Sequence, residues 1–200
     1  MLSRLLILVS VAASVTYLFT GNAAVKGCAV GALAVAALAM RANLLALALA
    51  LSAVGDVVLD LGERWFAAGL AAFLLAHVTY ICLFVRKRAG WAGLDWRYWA
   101  GVAAVVIYSV SLSVWIVPSA GPLAIPVVLY VCALTTMVAT AILGRFRTPW
   151  VVIGAVLFLI SDSLLAIDRF KTAIPWRGLF VWSTYYLGQF GIWAGQRGKN

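Results

Sequence analysis

The chain has 200 residues, of which 66% are hydrophobic and only 10% charged, and its mean hydropathy is +1.07. That composition excludes an ordinary soluble domain and indicates a polytopic helical protein forming a single integral membrane domain. The net charge of +9 is not a nucleic-acid signal. The basic residues sit mostly at the ends of apolar runs, as Arg86, Lys87 and Arg88 do, where they follow the positive-inside pattern and attract anionic lipid heads.

The apolar runs predict about eight helices. The first covers about Leu2–Phe19; its length and the span that follows at once favour a membrane helix over a signal peptide, although Asn22-Ala23-Ala24 supplies small residues near its end. The second covers about Val25–Met40, with Lys26 at its start. The third, about Asn43–Leu61, ends in LSAVGDVVLDL. The fourth covers about Trp65–Val85. The polar connection Gly90–Arg97 follows, and Trp91, Trp96 and Trp99 suit an interfacial belt. The remaining spans are about Tyr98–Val117, Leu123–Leu143, Trp150–Ile167 and Gly178–Ala194, separated by turns containing Pro118, Pro122, Pro149 and Pro175.

With the N and C termini inside, Arg4, Arg41, Arg86, Lys87, Arg88, Arg97, Arg145, Arg147, Arg197 and Lys199 fall on the cytoplasmic side. Lys26, Arg64, Arg169, Lys171 and Arg177 fall outside, and that asymmetry favours this orientation, in a bacterial inner membrane. A short repeat joins the third and seventh spans: Gly55-Asp56-Val57-Val58-Leu59 parallels Ser161-Asp162-Ser163-Leu164-Leu165, consistent with two parallel four-helix halves.

The two acids carry the chemistry. An ionised Asp at a bilayer centre costs roughly 2.5–3.5 kcal/mol on insertion scales, so such a residue is rarely idle. Asp56 and Asp162 each precede the expected end of their span by the same distance, which permits them to face each other at one depth. Separate carboxylates, each capped or paired with a base, are the structural alternative. A close pair shares a proton and supplies a general acid and a general base together, but proton transport uses the same property. His77 with Tyr80 in the fourth span, and Tyr185 with Gln189 in the eighth, are core or aromatic packing on one reading and substrate contacts on the other. Lys26 and Arg169 either snorkel to the interface or meet an anion there. Asp60 follows Asp56 by one helical turn, so both carboxylates can lie on one face of the third helix, although Asp60, like Glu63 and Asp168, otherwise reads as a loop or helix-end charge. Cys28, Cys82 and Cys132 read as small buried apolar residues, not disulfide partners. The lone His77 excludes a histidine-cluster metal site, and no cofactor is expected.

Taken together, Gly55–Leu59, the run Phe73-Leu74-Leu75-Ala76-His77-Val78-Thr79-Tyr80, Ser161–Ala166 and Tyr185-Tyr186-Leu187-Gly188-Gln189 resemble the YhhN-like family, which includes the lysoplasmalogenases. One departure is Gly27 after Lys26, where many members have proline; Lys26 stays in place and the local helix start is left open. The resemblance implies hydrolysis of the vinyl-ether bond of a lysoplasmalogen to a fatty aldehyde and a glycerophospho-ethanolamine or -choline. It implies a lysophospholipid substrate; with Asp56 and Asp162 as acid and base, a shared water then requires their carboxylates to lie within roughly 4–7 Å. Lys26, His77, Tyr80, Tyr185, Gln189 and Arg169 would then bind the substrate. A small proton-coupled carrier is the alternative from another class. An intramembrane aspartyl protease is weaker, because Ala53 stands where the fuller Gly-x-Gly-Asp pattern needs glycine.

Overall fold

A computed structural model describes residues 2–88 and 93–197. Its described residues form eight α-helices and no strand: α1 Leu2–Thr20, α2 Ala23–Ala39, α3 Asn43–Asp60, α4 Phe66–Lys87, α5 Trp96–Ile116, α6 Ala124–Leu143, α7 Trp150–Phe170 and α8 Arg177–Gly195. Every expected span is present, with ends moved by a few residues. Trp91 and Lys199 lie outside the described residues.

Among the described residues, six helices are long and apolar enough to cross a membrane. The other two are α2, which is apolar but has only 17 residues, and α8. The family's usual proline is not needed to start α2. Asn22 caps it instead, its side-chain oxygen accepting from the backbone N–H groups of Ala24 and Val25. Asp95 caps α5 in the same way through the Arg97 N–H.

Contacts divide the chain into two compact units, one ending at Leu83 and the other beginning at Phe84. In the first, α2 packs against both α1 and α3. The buried Ser10 hydroxyl donates to the Ala29 carbonyl at 2.6 Å, tying α1 to α2. Small residues set the spacing of the helices. A Cβ on Gly27 would lie 2.7 Å from the Val57 side chain, and one on Gly55 would lie 2.6 Å from the Phe73 ring.

In the second unit α7 packs against α6 and α8. A Cβ on Gly154 would lie 2.5 Å from the Gly188 carbonyl oxygen and 2.6 Å from the Ile192 nitrogen, so the two backbones approach where only glycine fits.

Both units repeat one pattern. On α3 the buried Leu45, Leu49, Ser52 and Asp56 fall at i, i+4, i+7 and i+11. On α7 the buried Val151, Ala155 and Phe158 are followed by half-buried Asp162 at the same intervals. Each acid therefore continues an inward stripe of its helix.

The cysteine expectation needs correcting. Cys28, Cys82 and Cys132 are free thiols, and all three are exposed. They fall on the outward faces of apolar helices, where a bilayer rather than a protein core supplies the apolar surroundings.

Candidate active-site elements

The first unit brings four polar side chains to one end. Lys26, near the start of α2, meets the end of α3, as antiparallel neighbours must. Its Nζ lies 2.8 Å from Asp60 Oδ1 and 3.9 Å from Asp56 Oδ1. The Tyr17 hydroxyl, near the end of α1, donates to Asp60 Oδ2 at 3.4 Å, and Lys26 lies 5.4 Å from the centre of the Tyr17 ring. Lys26 and Asp56 are almost wholly buried, and the Asp60 side chain is 22% exposed. One cation thus sits between two carboxylates one helical turn apart. Asp60 is consequently part of this cluster and not the loop charge that its place at the helix end suggests.

On α4, Phe73, His77, Tyr80 and Phe84 form one buried stripe. Phe73 packs where Gly55 leaves room, immediately beside Asp56 in sequence. His77 and Tyr80 continue the same face by one and two turns.

In the second unit Asp162 is held from α6. The Tyr130 hydroxyl donates to Asp162 Oδ2 at 2.5 Å. The serines that flank Asp162 point elsewhere. Ser161 donates to the Val181 carbonyl at 2.9 Å, and Ser163 donates to the Leu159 carbonyl at 2.7 Å. Tyr185 and Gln189 are both buried on α8. The Tyr185 ring meets Phe158 edge-on at 5.2 Å and Trp182 at 5.6 Å, so its body is an aromatic packing element of the α7–α8 seam. Arg169 is half-buried in the last turn of α7. Beside it, Asp168 accepts from the Ile174 N–H at 2.9 Å and pairs with Arg177 at 3.0 Å, as befits a helix-end charge.

The helix ends differ from expectation. Helix α3 stops at Asp60, while α7 runs on to Phe170. The apolar part of α7 still ends at Ile167. Asp168 and Arg169 continue the helix beyond it as polar residues, because Asp168 satisfies the following loop through Ile174 and Arg177. Among the described residues, no three His, Cys, Asp or Glu side chains come together in a way that could hold a metal ion.

The chain matches the YhhN family over residues 21–196. It belongs to that family. It is 40% identical over 152 residues to a Mycobacterium bovis protein named lysoplasmalogenase, an alignment covering 74% of this chain and 58% of that one. It is 36% identical over 143 residues to the Rattus norvegicus lysoplasmalogenase TMEM86B, covering 71% and 56%. It is 32% identical over 147 residues to the Homo sapiens lysoplasmalogenase TMEM86B, covering 72% and 59%. The matched region thus spans less than two thirds of the length of these curated relatives. No solved structure matches the chain.

Two members of these clusters, Tyr17 and Tyr130, were not singled out from the sequence. Tyr17 carries no local signal, standing in the mixed stretch Ser14-Val15-Thr16-Tyr17-Leu18-Phe19. Asp60 does carry one, its four-residue spacing from Asp56, and that spacing already places both carboxylates on one helix face. Tyr130 interrupts the buried stripe Val127, Tyr130, Leu134, Met137, Ala141 of α6 with a polar tip, but in the sequence it is one more aromatic residue in an apolar span.

Proposed function

We propose that this family member is a membrane-embedded hydrolase that cleaves the vinyl-ether bond of a lysoplasmalogen. The products are a fatty aldehyde and a glycerophospho-ethanolamine or -choline. The observation that carries this reading is the match to relatives named lysoplasmalogenase, joined to an acid on each inward stripe of α3 and α7. A bilayer enzyme suits a single-chain lipid, whose tail lies among apolar helices while its head group stays at the surface.

The reaction requires both carboxyl groups. One protonates the vinyl carbon beta to the ether oxygen and leaves an oxocarbenium ion. The other takes a proton from water as that water's oxygen attacks the cation. The resulting hemiacetal then loses the glycerol oxygen as an alcohol, and the remaining fragment is the aldehyde. His77, Tyr80, Tyr185 and Gln189 supply polar contacts to the substrate, and Lys26 and Arg169 meet its phosphate. The protein resides in a bacterial inner membrane with both termini cytoplasmic.

Purified protein in detergent is expected to release aldehyde from a lysoplasmalogen, and Asp56→Asn and Asp162→Asn are each expected to abolish that release. Full activity in both variants would sink the two-carboxylate mechanism.

One observation favours a second reading, a proton-coupled carrier. The chain divides into two units, and each carries a small-residue–Asp motif on an equivalent stripe. Substrate-dependent proton flux into liposomes without aldehyde formation would select it.

A further inference from the structure

We propose that Tyr130 is the positioning residue of Asp162, fixing the rotamer of that carboxyl group so that it meets the substrate in one orientation. The proposal deepens the hydrolase reading, on which it rests for what Asp162 does.

Three observations carry it. Tyr130 occupies a seam position of α6 between Val127 and Leu134, where the same stripe otherwise presents apolar side chains. It is 8% exposed, so its hydroxyl is committed to a partner inside the protein. That partner is Asp162 Oδ2, at 2.5 Å. The flanking hydroxyls do not compete for the carboxyl group, since Ser161 and Ser163 donate to backbone carbonyls.

An aspartate has two side-chain torsions, and a carboxyl group that rotates freely is a poor proton donor to a carbon atom. Carbon accepts a proton only along the axis of its π orbital, so the angle of approach matters more than it does for an oxygen lone pair. A phenol anchored in a helix seam is a suitable brace. Its ring is immobilised by packing, its O–H reaches across from α6 to α7, and it adds no charge to the apolar interior. Tyr130 then acts through Asp162 without touching the reacting atoms.

A phenol that merely satisfied its own hydrogen bond would have no effect specific to turnover. The test therefore uses the full chain in detergent micelles, with steady-state aldehyde release from a lysoplasmalogen and infrared difference spectra of the same samples. In Tyr130→Phe, kcat is expected to fall roughly 10–100-fold with KM within about twofold, because misorientation of a reacting group costs rate and not affinity.

The carboxyl band assigned to Asp162, by its disappearance in Asp162→Asn, is expected to shift in Tyr130→Phe. An unshifted band would overturn the proposal whatever the activity. So would wild-type kcat in Tyr130→Phe. A shifted band in a protein that releases no aldehyde would remove the hydrolase reading and leave the contact standing, which separates the two failures.

Discussion

At the scale of single residues, the polar groups of the first unit are not interchangeable. Lys26 is the only cation among Tyr17, Asp56 and Asp60, and it is shared by two carboxylates at unequal distances, 2.8 Å to Asp60 and 3.9 Å to Asp56. Removing it takes the shared cation from both acids in a nearly buried setting, whereas removing Asp60 leaves Lys26 with Asp56. Removing the Tyr17 hydroxyl gives up only a long bond of 3.4 Å to a partner that keeps its ammonium. The costs should therefore be ordered. Lys26→Met is expected to lose about 2–3 kcal/mol, because removing one partner of a buried pair leaves uncompensated charge. Asp60→Asn should lose about 1 kcal/mol and Tyr17→Phe less than about 0.5 kcal/mol. Unfolding of the three purified variants in mixed micelles checks the order; a Tyr17→Phe loss equal to that of Lys26→Met would contradict the cluster described here. This arrangement also bears on the phosphate role proposed for Lys26. An ammonium already bridged to Asp60 must meet the head group while keeping its carboxylates, so Asp60→Asn should change KM more than kcat.

At the scale of elements, helix packing is set by where glycine is required. Gly154 on α7 faces backbone atoms of α8, which cannot move aside as a flexible side chain can. Gly154→Ala is expected to destabilise the protein by about 1–3 kcal/mol through overpacking. Gly31 on α2 has nothing within 4 Å of a built Cβ. Gly31→Ala should be neutral or slightly stabilising, by up to about 1 kcal/mol, because alanine is the better helix former. Melting temperatures of the two variants, measured side by side, test whether the space around each glycine decides the sign. The same contrast explains what the sequence could and could not reveal. The eight helices were legible because apolar runs of membrane length, broken by Arg41, Gly62, Pro118, Pro149 and Pro175, have few other solutions. Asp56 and Asp162 were legible because acids within such runs are costly. Tyr130 and Tyr17 were not, because an aromatic residue in an apolar span is ordinary until a partner from another helix is seen beside its hydroxyl. The exposure of the three cysteines was misjudged for a related reason. An apolar run shows that its neighbours are apolar, but not whether those neighbours are protein or lipid.

At the scale of the whole molecule, the open matter is how many of the eight helices cross the bilayer, since parity fixes the sides of the termini. Helix α2 has 17 residues, which at ~1.5 Å rise per residue is about 25 Å, somewhat short of a hydrocarbon core of ~30 Å. Helix α8 has 19 residues and carries Tyr185, Tyr186 and Gln189. Two features argue that both cross. Helix α2 packs against the long apolar helices α1 and α3 and buries seven residues. The C-terminal half of helix α8 lies against α7 at glycine-to-backbone distance, from Gly188 through Gly191 to Gly195. A helix held so closely alongside a spanning neighbour is expected to extend through the same layer. With eight crossings the termini share a side. The positive-inside pattern then predicts which side, with Arg41, the run Arg86–Arg88, Arg145 and Arg147 expected in cytoplasmic connections and Lys26, Arg64, Arg169, Lys171 and Arg177 expected on the other side. Reporter fusions in a bacterial host test this directly. A fluorescent protein that folds only in the cytoplasm should be bright when joined after Arg41, Arg145 or Arg197. A phosphatase active only outside should work after Gly62 or Thr172. Phosphatase activity after Arg197 together with fluorescence after Arg41 would mean that an odd number of helices crosses between them. Since α3 to α7 all qualify as spans by length and composition, α8 would then be the helix lying on the membrane rather than through it.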